Sequence, residues 1–449
     1  MNKTEIIEYV KEHPSGKVKI AFADIDGILR GKYISAEKFL SVVESSTGFC
    51  DVVFGWDASD VAYDNATYTG WHTGYPDCPA TIDLNTFRKI PWENDLPFFL
   101  GDFLDAKGGA SSVCPRQLLK KVLGDAEALG FAPSFSQEFE WFNFAETPQS
   151  ANEKGFQKLT PLTPGMFGYS VLRSTLNNPF FTDLFDLLKR FNVPLEGLHT
   201  ETGPGTYEAA IVYSNILEAA DRAVLFKTAV KEIAYKHGVM ATFMAKISED
   251  LPGCGGHVHQ SLWKGNTNVF YDESDAQNMS ETMKSYVAGQ LHCLPFILPL
   301  LAPTINSYKR LVEGAWAPTT LTWAVDNRTV ALRVLNGSQK SCRLETRVIG
   351  ADVNPYLAMA ACLASGLYGI KNKLELQPET LGNGYRDYSH GTLPNTLEKA
   401  TAAMKDATVT KEIFGATFVE HFVQTREWEW KQHLKAVTDW EYKRYFEII

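Results

Sequence analysis

Alternating polar and apolar positions mark the stretch from Ser134 to Trp141, in which every second residue, from Ser134 to Glu140, is polar. Side chains two apart in a strand point to the same face of a sheet. Glu138 and Glu140 are therefore predicted to share one face of one strand. A solvated strand face would also alternate in this way, so this pair alone does not establish a functional site.

The same spacing recurs in three further segments that have the character of strands. His257, His259 and Ser261 alternate in one of them, and Arg343, Glu345 and Arg347 in another. In the third, His199 and Glu201 alternate before a Gly-Pro-Gly turn that is followed by Glu208. A solvated face would use Lys, Thr and Ser freely, whereas these four segments repeat Glu, His and Arg. We therefore predict a polar site inside a curved sheet or half-barrel.

Other patterns outline the rest of the fold. Asp26-Gly27 predicts a hairpin turn in the first hundred residues. Amphipathic or apolar helices are predicted from Pro115 to Gly130, from a cap at Ser214 to Gly238, and from Asn354-Pro355 through Gly369. The apolar run from Leu291 to Pro303 is too short to span a bilayer and contains three prolines, so buried structure is expected there.

Composition narrows the class of protein. The 449 residues carry a net charge of -10 that is spread along the chain, which argues against nucleic acid or an anionic membrane as a partner. Seven scattered cysteines without a CxxC pair predict neither a disulfide framework nor a structural zinc site. The charged N-terminus does not have the pattern of a signal peptide, and a cytoplasmic location is expected.

The recurring residue types also indicate chemistry. Carboxylates and imidazoles suit Mg²⁺ or Mn²⁺, and arginine forks bind carboxylates and phosphates. Several arginines are concentrated between Arg310 and Arg347. The chain has no GxxxxGK[ST] loop and no convincing GxGxxG turn, so a nucleotide would have to be bound in another way.

These segments resemble the catalytic domain of the glutamine synthetase family, in the family's own order from Glu138 to Leu357. The resemblance covers Glu-x-Glu, His-x-Glu-x-Gly-Pro-Gly-x-x-Glu and Gly-x-Gly-x-His-x-His-x-Ser. It continues through Asn-Ser-Tyr-Lys-Arg-Leu, Asn-Arg, Arg-x-Glu-x-Arg and Ala-Asp-x-Asn-Pro-Tyr-Leu. It implies an α+β protein with a small N-terminal β-grasp domain, 1–105, and a large catalytic domain, 106–449. The latter would contain a curved antiparallel half-barrel sheet flanked by helices, and the assembly would be a homo-dodecamer of two hexameric rings.

The resemblance also implies roles for individual residues. One divalent cation would be bound by Glu140, Glu201 and Glu208, and another by Glu138, His257 and Glu345. ATP would contact His259, Ser261, Arg333 and Arg343. Glutamate would contact Gly253, His257, Arg310 and Arg347. Arg328 would contact the phosphoryl group, and Asp57 would accept a proton from the amine at a neighbouring subunit's site.

One position departs from the family's pattern. Ammonium-using members carry a Glu before the Ala-Pro of a flap loop, where this chain has Trp316. An indole can contact a cation but cannot take its proton. We therefore expect a γ-glutamyl amide ligase of the amine or polyamine branch, which forms a γ-glutamyl phosphate from ATP and glutamate and transfers the acyl group to an organic amine.

Two alternatives stay open at this stage. Glu313, in the same loop, could restore a negative charge next to Trp316, which would allow an ammonia-using glutamine synthetase. A non-catalytic family member with a structural role is the other alternative, although the complete set of six metal ligands argues against it.

Overall fold

A mixed six-stranded sheet forms the N-terminal part of the molecule. The computed structural model describes residues 1–449. The sheet order is β2-β1-β6-β4-β3, with β5 on β6, and β1 is parallel to β6 while the other pairs are antiparallel. The strands are β1 Lys17–Ala23, β2 Leu29–Ser35, β3 Thr47–Cys50, β4 Asp77–Ile82, β5 Arg88–Ile90 and β6 Leu96–Phe103. The predicted hairpin at Asp26-Gly27 joins β1 to β2 and is confirmed.

A second sheet of ten strands forms the centre of the remaining chain. Its main order is β14-β15-β16-β12-β7-β9-β8, with β10 and β11 on β7 and β13 on β12. The strands are β7 Ala132–Phe144, β8 Leu195–Thr200, β9 Thr206–Ile211, β10 Ser214–Asn215, β11 Met240–Thr242, β12 Val258–Lys264, β13 Thr267–Asn268, β14 Trp323–Val325, β15 Leu332–Leu335 and β16 Arg343–Thr346. All pairs are antiparallel except β14 with β15. The predicted curved half-barrel sheet is confirmed.

Fourteen α-helices flank the sheets. They are α1 Lys3–Glu12, α2 Ala36–Val42, α3 Pro115–Ala128, α4 Pro148–Glu153, α5 Val171–Leu176, α6 Asn178–Arg190, α7 Ile216–Lys236, α8 Glu281–Leu301, α9 Ser307–Arg310, α10 Pro355–Asn372, α11 Leu397–Asp406, α12 Thr408–Phe414, α13 Ala416–Lys435 and α14 Asp439–Tyr445. None of them has the length and apolar character needed to cross a membrane.

The helix predictions agree with the structure except at one cap. Helix α7 is capped by Asn215, whose side chain accepts from the Glu218 N–H, whereas Ser214 lies one residue too early. Pro355 begins α10 after the Asn354 cap, as predicted. The apolar run after Leu291 is the second half of α8 and is largely buried, which confirms the expectation of buried structure.

Helices α8 and α10 pack at very short range. A Cβ added to Gly369 would lie 2.0 Å from the Ser285 carbonyl oxygen and 2.6 Å from the Gly289 Cα atom. Small residues therefore allow the two helix backbones to approach each other. Tyr286 and Gln290 of α8 bond to Gln260 of β12, and both helices contribute to a core of 89 buried residues.

Apolar packing connects the first sheet to the core of the remaining chain. Ala21, Leu96 and Phe98 of the first sheet belong to the large core, while a second core of 16 residues lies within the N-terminal part. The division at 105/106 and the β-grasp topology of the first part stay predictions.

Arg116 on α3 ties the first sheet to helices α3 and α7. Its guanidinium is 3% exposed and contacts Asp221 at 2.8 Å, Asp102 at 2.8 Å and Asp83 at 3.0 Å. Asp102 lies on β6 and Asp221 on α7. Removing the cation would leave several carboxylates buried without their partner, which is strongly destabilising.

We expect Arg116→Met to lower the free energy of unfolding by about 3–5 kcal/mol, measured by urea denaturation. Arg190→Met is the matched control, since it removes an exposed pair with Asp95 and should cost about 1 kcal/mol or less. Equal effects of the two substitutions would contradict a structural role for the buried network.

Candidate active site

Strand β7 places the predicted carboxylates in the middle of the central sheet. Its neighbours are β9 and β12, and Glu140 pairs with Glu208 across the β7–β9 ladder. His199 on β8 also pairs with Glu208, and His259 on β12 pairs with Glu345 on β16. The four alternating segments predicted from the sequence therefore converge on one face of one sheet.

The first cluster contains two carboxylates and two imidazoles. Glu138 lies 3.1 Å from His259 Nε2 and 3.8 Å from His257 Nδ1, and His257 Nδ1 lies 3.4 Å from Glu345. Burial raises the pKa of Glu345, but His257, His259 and Arg347 together lower it to about 2. Burial has the same effect on Glu138, and the two imidazoles hold its pKa well below the usual value. Both carboxylates are therefore ionised and can bind a cation.

The second cluster is more strongly acidic. His199 lies 3.8 Å from Glu201 and 3.5 Å from Glu208, and Glu140 accepts a hydrogen bond from the Gly255 N–H at 2.8 Å. Burial, followed by repulsion from nearby carboxylates including Glu140, raises the pKa of Glu208 to about 9. Carboxylates crowded in this way favour a divalent cation, which would neutralise them.

Each cluster provides three atoms that can bind the same ion. The two groups are Glu138 with His259 and Glu345, and His199 with Glu201 and Glu208, and within each group the ligand atoms lie within 4.8 Å of one another. Four of the five carboxylates expected as ligands lie in these groups, and Glu140 lies in neither. His259 and His199 complete the groups, whereas His257, which is also expected as a ligand, lies 3.4 Å from Glu345. The ligand roles stay predictions. The donor sets fit divalent cations.

The arginines of the sequence prediction lie around these clusters. Arg347 forms an ion pair with Glu345, and Arg333 contacts Glu345 at 3.0 Å. Arg343 donates to His259 Nδ1 at 3.2 Å. Arg328 is exposed, and its backbone carbonyl accepts from Arg347 at 3.2 Å.

Arg310 differs because it has no carboxylate partner. It is 3% exposed and donates to the backbone carbonyls of Val348 at 2.9 Å and Arg347 at 3.2 Å. Burial lowers its pKa. A buried guanidinium without a counterion is well suited to receive the carboxylate of a substrate.

Two cavities open on this face of the sheet. One lies between β7, β12 and the segment before β16, and Glu138, His259, Ser261 and Arg343 all contribute to its wall. The other is small and polar, and it borders the second cluster. Its lining residues are Glu140, Glu201, Thr202, Pro252, Gly253, Arg310, Ala315, Trp316 and Arg347.

Gly253 and Trp316 set the shape of the smaller cavity. A Cβ on Gly253 would lie 2.7 Å from Arg310 Cγ, so only glycine allows this loop to approach the arginine. Trp316 is 61% exposed and has a φ of 57°, which is the left-handed region. Trp316 lines this cavity together with two carboxylate and two arginine residues.

Two predicted residues are engaged elsewhere in the single chain. Asp57 accepts from Trp428 Nε1 at 2.9 Å on α13, and from the Ser59 and Val61 N–H groups. Glu313 is exposed and pairs with Arg386 at 2.8 Å. Neither residue lines the two cavities, and their catalytic roles stay predictions.

Tyr169 is a residue of the site that the sequence analysis did not identify. Its ring stacks on His199 with the ring centroids 4.4 Å apart, and its N–H donates to the Thr200 carbonyl at 2.7 Å. Tyr169 precedes α5 and has a φ of 53°. No periodic pattern marks such a loop residue, so only the folded chain brings it to His199.

Comparison with known proteins agrees with this geometry. The family model described as "Glutamine synthetase, catalytic domain" matches residues 112–445. The chain is 54% identical to Type-1 glutamine synthetase 2 of Dictyostelium discoideum, over 99% of this chain and 86% of the relative. The chain belongs to the glutamine synthetase family.

Amine ligases occur among the relatives of this chain. The chain is 36% identical to Glutamate--isopropylamine ligase of Pseudomonas sp, over 100% of this chain and 99% of the relative. The solved structure named GmaS/ADP complex-Conformation 1 superposes with a TM-score of 0.85 at 25% identity, covering 98% of this chain and 99% of the other. The protein is an ATP-dependent carbon–nitrogen ligase, as predicted. Family membership supports small-molecule substrates and an oligomeric assembly.

We expect Mg²⁺ to raise the melting temperature more at pH 8.5 than at pH 6. The folded pKa of Glu208, about 9, lies above its ordinary value of 4.5, so the metal-free protein loses stability as the pH rises between these values. A bound cation stabilises the ionised form of Glu208 and so removes this loss of stability at high pH. Scanning calorimetry with and without Mg²⁺ measures the difference.

Glu208→Gln is the matched variant, since it keeps the size of the side chain and removes its charge. The pH dependence of the Mg²⁺ effect should be much smaller in this variant. Burial also raises the pKa of Asp24, to about 7, and the comparison between variant and parent removes that contribution. An unchanged pH dependence would show that Glu208 does not sense the cation.

Proposed function

We propose that this protein joins the side-chain carboxylate of glutamate to an organic amine, with ATP as the phosphoryl donor and γ-glutamyl phosphate as the intermediate. A free carboxylate is a poor electrophile, and phosphorylation converts it into one that an amine can attack. The proposal includes a cytoplasmic location and a homo-dodecamer, in which Asp57 serves a neighbouring subunit's site.

Trp316 is the observation that supports an organic amine. Trp316 lines the small cavity with Glu140 and Glu201, at the position where ammonium-using members carry a carboxylate. An apolar wall stabilises the alkyl part of an amine by burying it, and the aromatic face attracts its cation. Pro252 and Ala315 extend this apolar surface.

The carboxylates and histidines that meet on one face of the central sheet would bind two divalent cations. Glu140, Glu201 and Glu208 would hold one divalent cation, and Glu138, His257 and Glu345 the other. When bound, these cations neutralise the oxygens of the phosphoryl group. His199 and His259 lie close enough to the same carboxylates to be further ligands or to orient them.

The remaining groups bind and orient the substrates. Arg310, which has no counterion, and Arg347 would hold the carboxylates of glutamate beside Gly253 and His257. The larger cavity would bind ATP through His259, Ser261, Arg333 and Arg343. Arg328, which is exposed at the rim, would contact the phosphoryl group, and Asp57 would accept the proton of the attacking amine.

Ammonia is the second candidate nucleophile. A relative with 54% identity is named a glutamine synthetase, and Glu313 provides a carboxylate in the loop of Trp316. In the structure, however, Glu313 pairs with Arg386 at 2.8 Å. Its charge is therefore already balanced, which makes it a weaker site for ammonium.

The deciding experiment measures phosphate release with ATP, Mg²⁺ and glutamate. We expect an organic amine from a panel of methylamine, isopropylamine, ethanolamine, putrescine and aniline to exceed ammonium in kcat/KM. A clear preference for ammonium would contradict the proposal and identify a glutamine synthetase with an altered flap loop. Absence of metal-dependent ADP release with every amine would favour the non-catalytic alternative.

Trp316→Glu should shift the nucleophile towards ammonium. The substitution removes the apolar wall and adds a carboxylate that can hold and deprotonate a small cation, so we expect the ratio of kcat/KM for the best amine to that for ammonium to fall at least about tenfold, or about 1.4 kcal/mol. Trp316→Phe keeps an aromatic wall and is the matched control. Equal ratios in both variants would exclude Trp316 as the determinant of specificity.

A further inference from the structure

The turn that carries Asp57 is built around that residue. Trp56 and Ala62 form a β-bridge, and the Asp57 N–H donates to the Val61 carbonyl at 2.9 Å. Asp57 Oδ1 accepts from the N–H groups of Ser59 at 2.8 Å and Val61 at 3.0 Å. The tip of the turn is exposed, and Asp57 is only partly buried. The carboxylate is therefore fixed to its own backbone through one oxygen and stays partly accessible.

The other oxygen of this carboxylate is held by a helix from the far end of the chain. Trp428 on α13 is 5% exposed, and its indole N–H donates to Asp57 Oδ2 at 2.9 Å. The ring of Tyr63 packs edge-on against this indole, with the ring centroids 5.9 Å apart, and Tyr63 is itself buried. The indole therefore cannot turn away from Asp57 without disturbing this packing.

Helix α13 also holds the residues that follow this turn. Asn65 donates to the Gln424 carbonyl at 2.8 Å, and Lys431 forms an ion pair with Asp64. Gln424 and Lys431 are about two helical turns apart, so the contacts extend along one side of the helix. The helix thus sets the position of the whole segment, and Trp428 is its residue that contacts the carboxylate of the turn.

These hydrogen bonds leave one acceptor position on the carboxylate of Asp57. Each oxygen of an ionised carboxylate has two lone pairs. The two backbone N–H groups occupy both lone pairs of Oδ1, and the indole N–H of Trp428 occupies one lone pair of Oδ2. The remaining lone pair of Oδ2 is available to a proton donor, and the indole determines the direction in which this lone pair points.

We propose that Trp428 is a positioning residue for Asp57 in the amine step, which rests on the proposed function, where Asp57 accepts the proton of the amine. An alkylammonium ion gives one proton to Asp57 Oδ2, and the free amine attacks the γ-carbonyl carbon of γ-glutamyl phosphate. The C–N bond forms, the C–O bond to phosphate breaks, and the second proton leaves with the phosphate. Such a proton transfer requires a geometry fixed to within about 0.5 Å, and a buried hydrogen bond from a supporting residue provides it.

The protonation state of the nucleophile distinguishes positioning from a purely structural role. An alkylamine is almost wholly protonated near neutral pH and needs a proton acceptor before it attacks. Hydroxylamine is mostly unprotonated at the same pH and attacks directly. Phosphorylation of glutamate by ATP is common to both reactions. Loss of the Trp428 N–H should therefore impair the reaction of the alkylamine and spare that of hydroxylamine.

Steady-state rates of the full-length enzyme with ATP, Mg²⁺ and glutamate test this assignment. Trp428→Phe keeps an aromatic ring and removes the N–H, so we expect kcat/KM for the preferred alkylamine to fall at least about tenfold and that for hydroxylamine to change less than about twofold. Trp92→Phe is the matched control, because it removes an indole N–H that donates to Glu232 at 2.8 Å. Neither rate should change in the control. Equal losses with both nucleophiles in Trp428→Phe, or no loss with either, would overturn the assignment.

Asp57→Asn separates this inference from the function on which it rests. This variant should also lose the alkylamine reaction selectively, and adding Trp428→Phe to it should have no further effect, because the indole acts through the carboxylate. If Asp57→Asn shows the selective loss and Trp428→Phe does not, the positioning role is wrong and the proposed function stands. If Asp57→Asn spares the alkylamine reaction, Asp57 is not the proton acceptor and both assignments fail. A preference for ammonium would contradict the proposed nucleophile alone, since ammonium is also protonated near neutral pH and then replaces the alkylamine in the comparison.

Discussion

The register of strand β7 is the constraint on which the rest of the structure depends. Its side chains alternate between the core and the concave face over most of its 13 residues. Phe135, Phe139 and Trp141 are fully buried, and each contributes about 1.5–3 kcal/mol through burial. A shift by one residue would bring these rings to the polar face and bury Glu138 and Glu140. The hydrophobic core thus fixes the carboxylates at the site.

The site buries charged groups, which lowers the stability of the fold. Glu345 is 1% exposed and stays ionised because two arginines and two histidines surround it. Glu208 lies among other carboxylates, and burial followed by their repulsion raises its pKa, with His199 3.5 Å away. Buried charges of this kind oppose folding, so the surrounding sheet and helices must supply the stability that the site removes.

Local periodicity predicted the parts of the site that lie on strands. The spacing of two residues was sufficient to align His257 with His259 and Arg343 with Glu345, because this spacing is a property of any strand. Of the carboxylates expected as metal ligands by resemblance, Glu138 and Glu345 lie in one group and Glu201 and Glu208 in another, while their roles as ligands stay predictions. The distances from His199 to its carboxylates could not be predicted, because His199 meets Glu208 through pairing between strands. These distances are set by ladder register and not by position along the chain.

The cap of α7 and the contacts of Asp57 could not be predicted from local sequence patterns, because they depend on the folded backbone and on distant segments. Ser214 and Asn215 are both good caps, and only the hydrogen bond to Glu218 shows which of them begins α7. Asp57 was expected at a site, yet in one chain it contacts Trp428 nearly four hundred positions later. A cavity bordered by the β1–β2 turn, α7 and α13 has no sequence signature, because its lining comes from segments that meet only through tertiary packing.

The exposed loop around Trp316 has a consequence for how such enzymes can diverge. Val312, Glu313, Gly314 and Trp316 bury little surface and lie between two well-packed elements, α9 and β14. Substitutions at exposed positions usually change stability by less than about 0.5 kcal/mol. If Trp316 contacts the nucleophile, as proposed, new nucleophile preferences can evolve in this loop at little cost in stability. The carboxylates, histidines and arginines on the sheet would then stay unchanged while the loop alone alters the choice of amine.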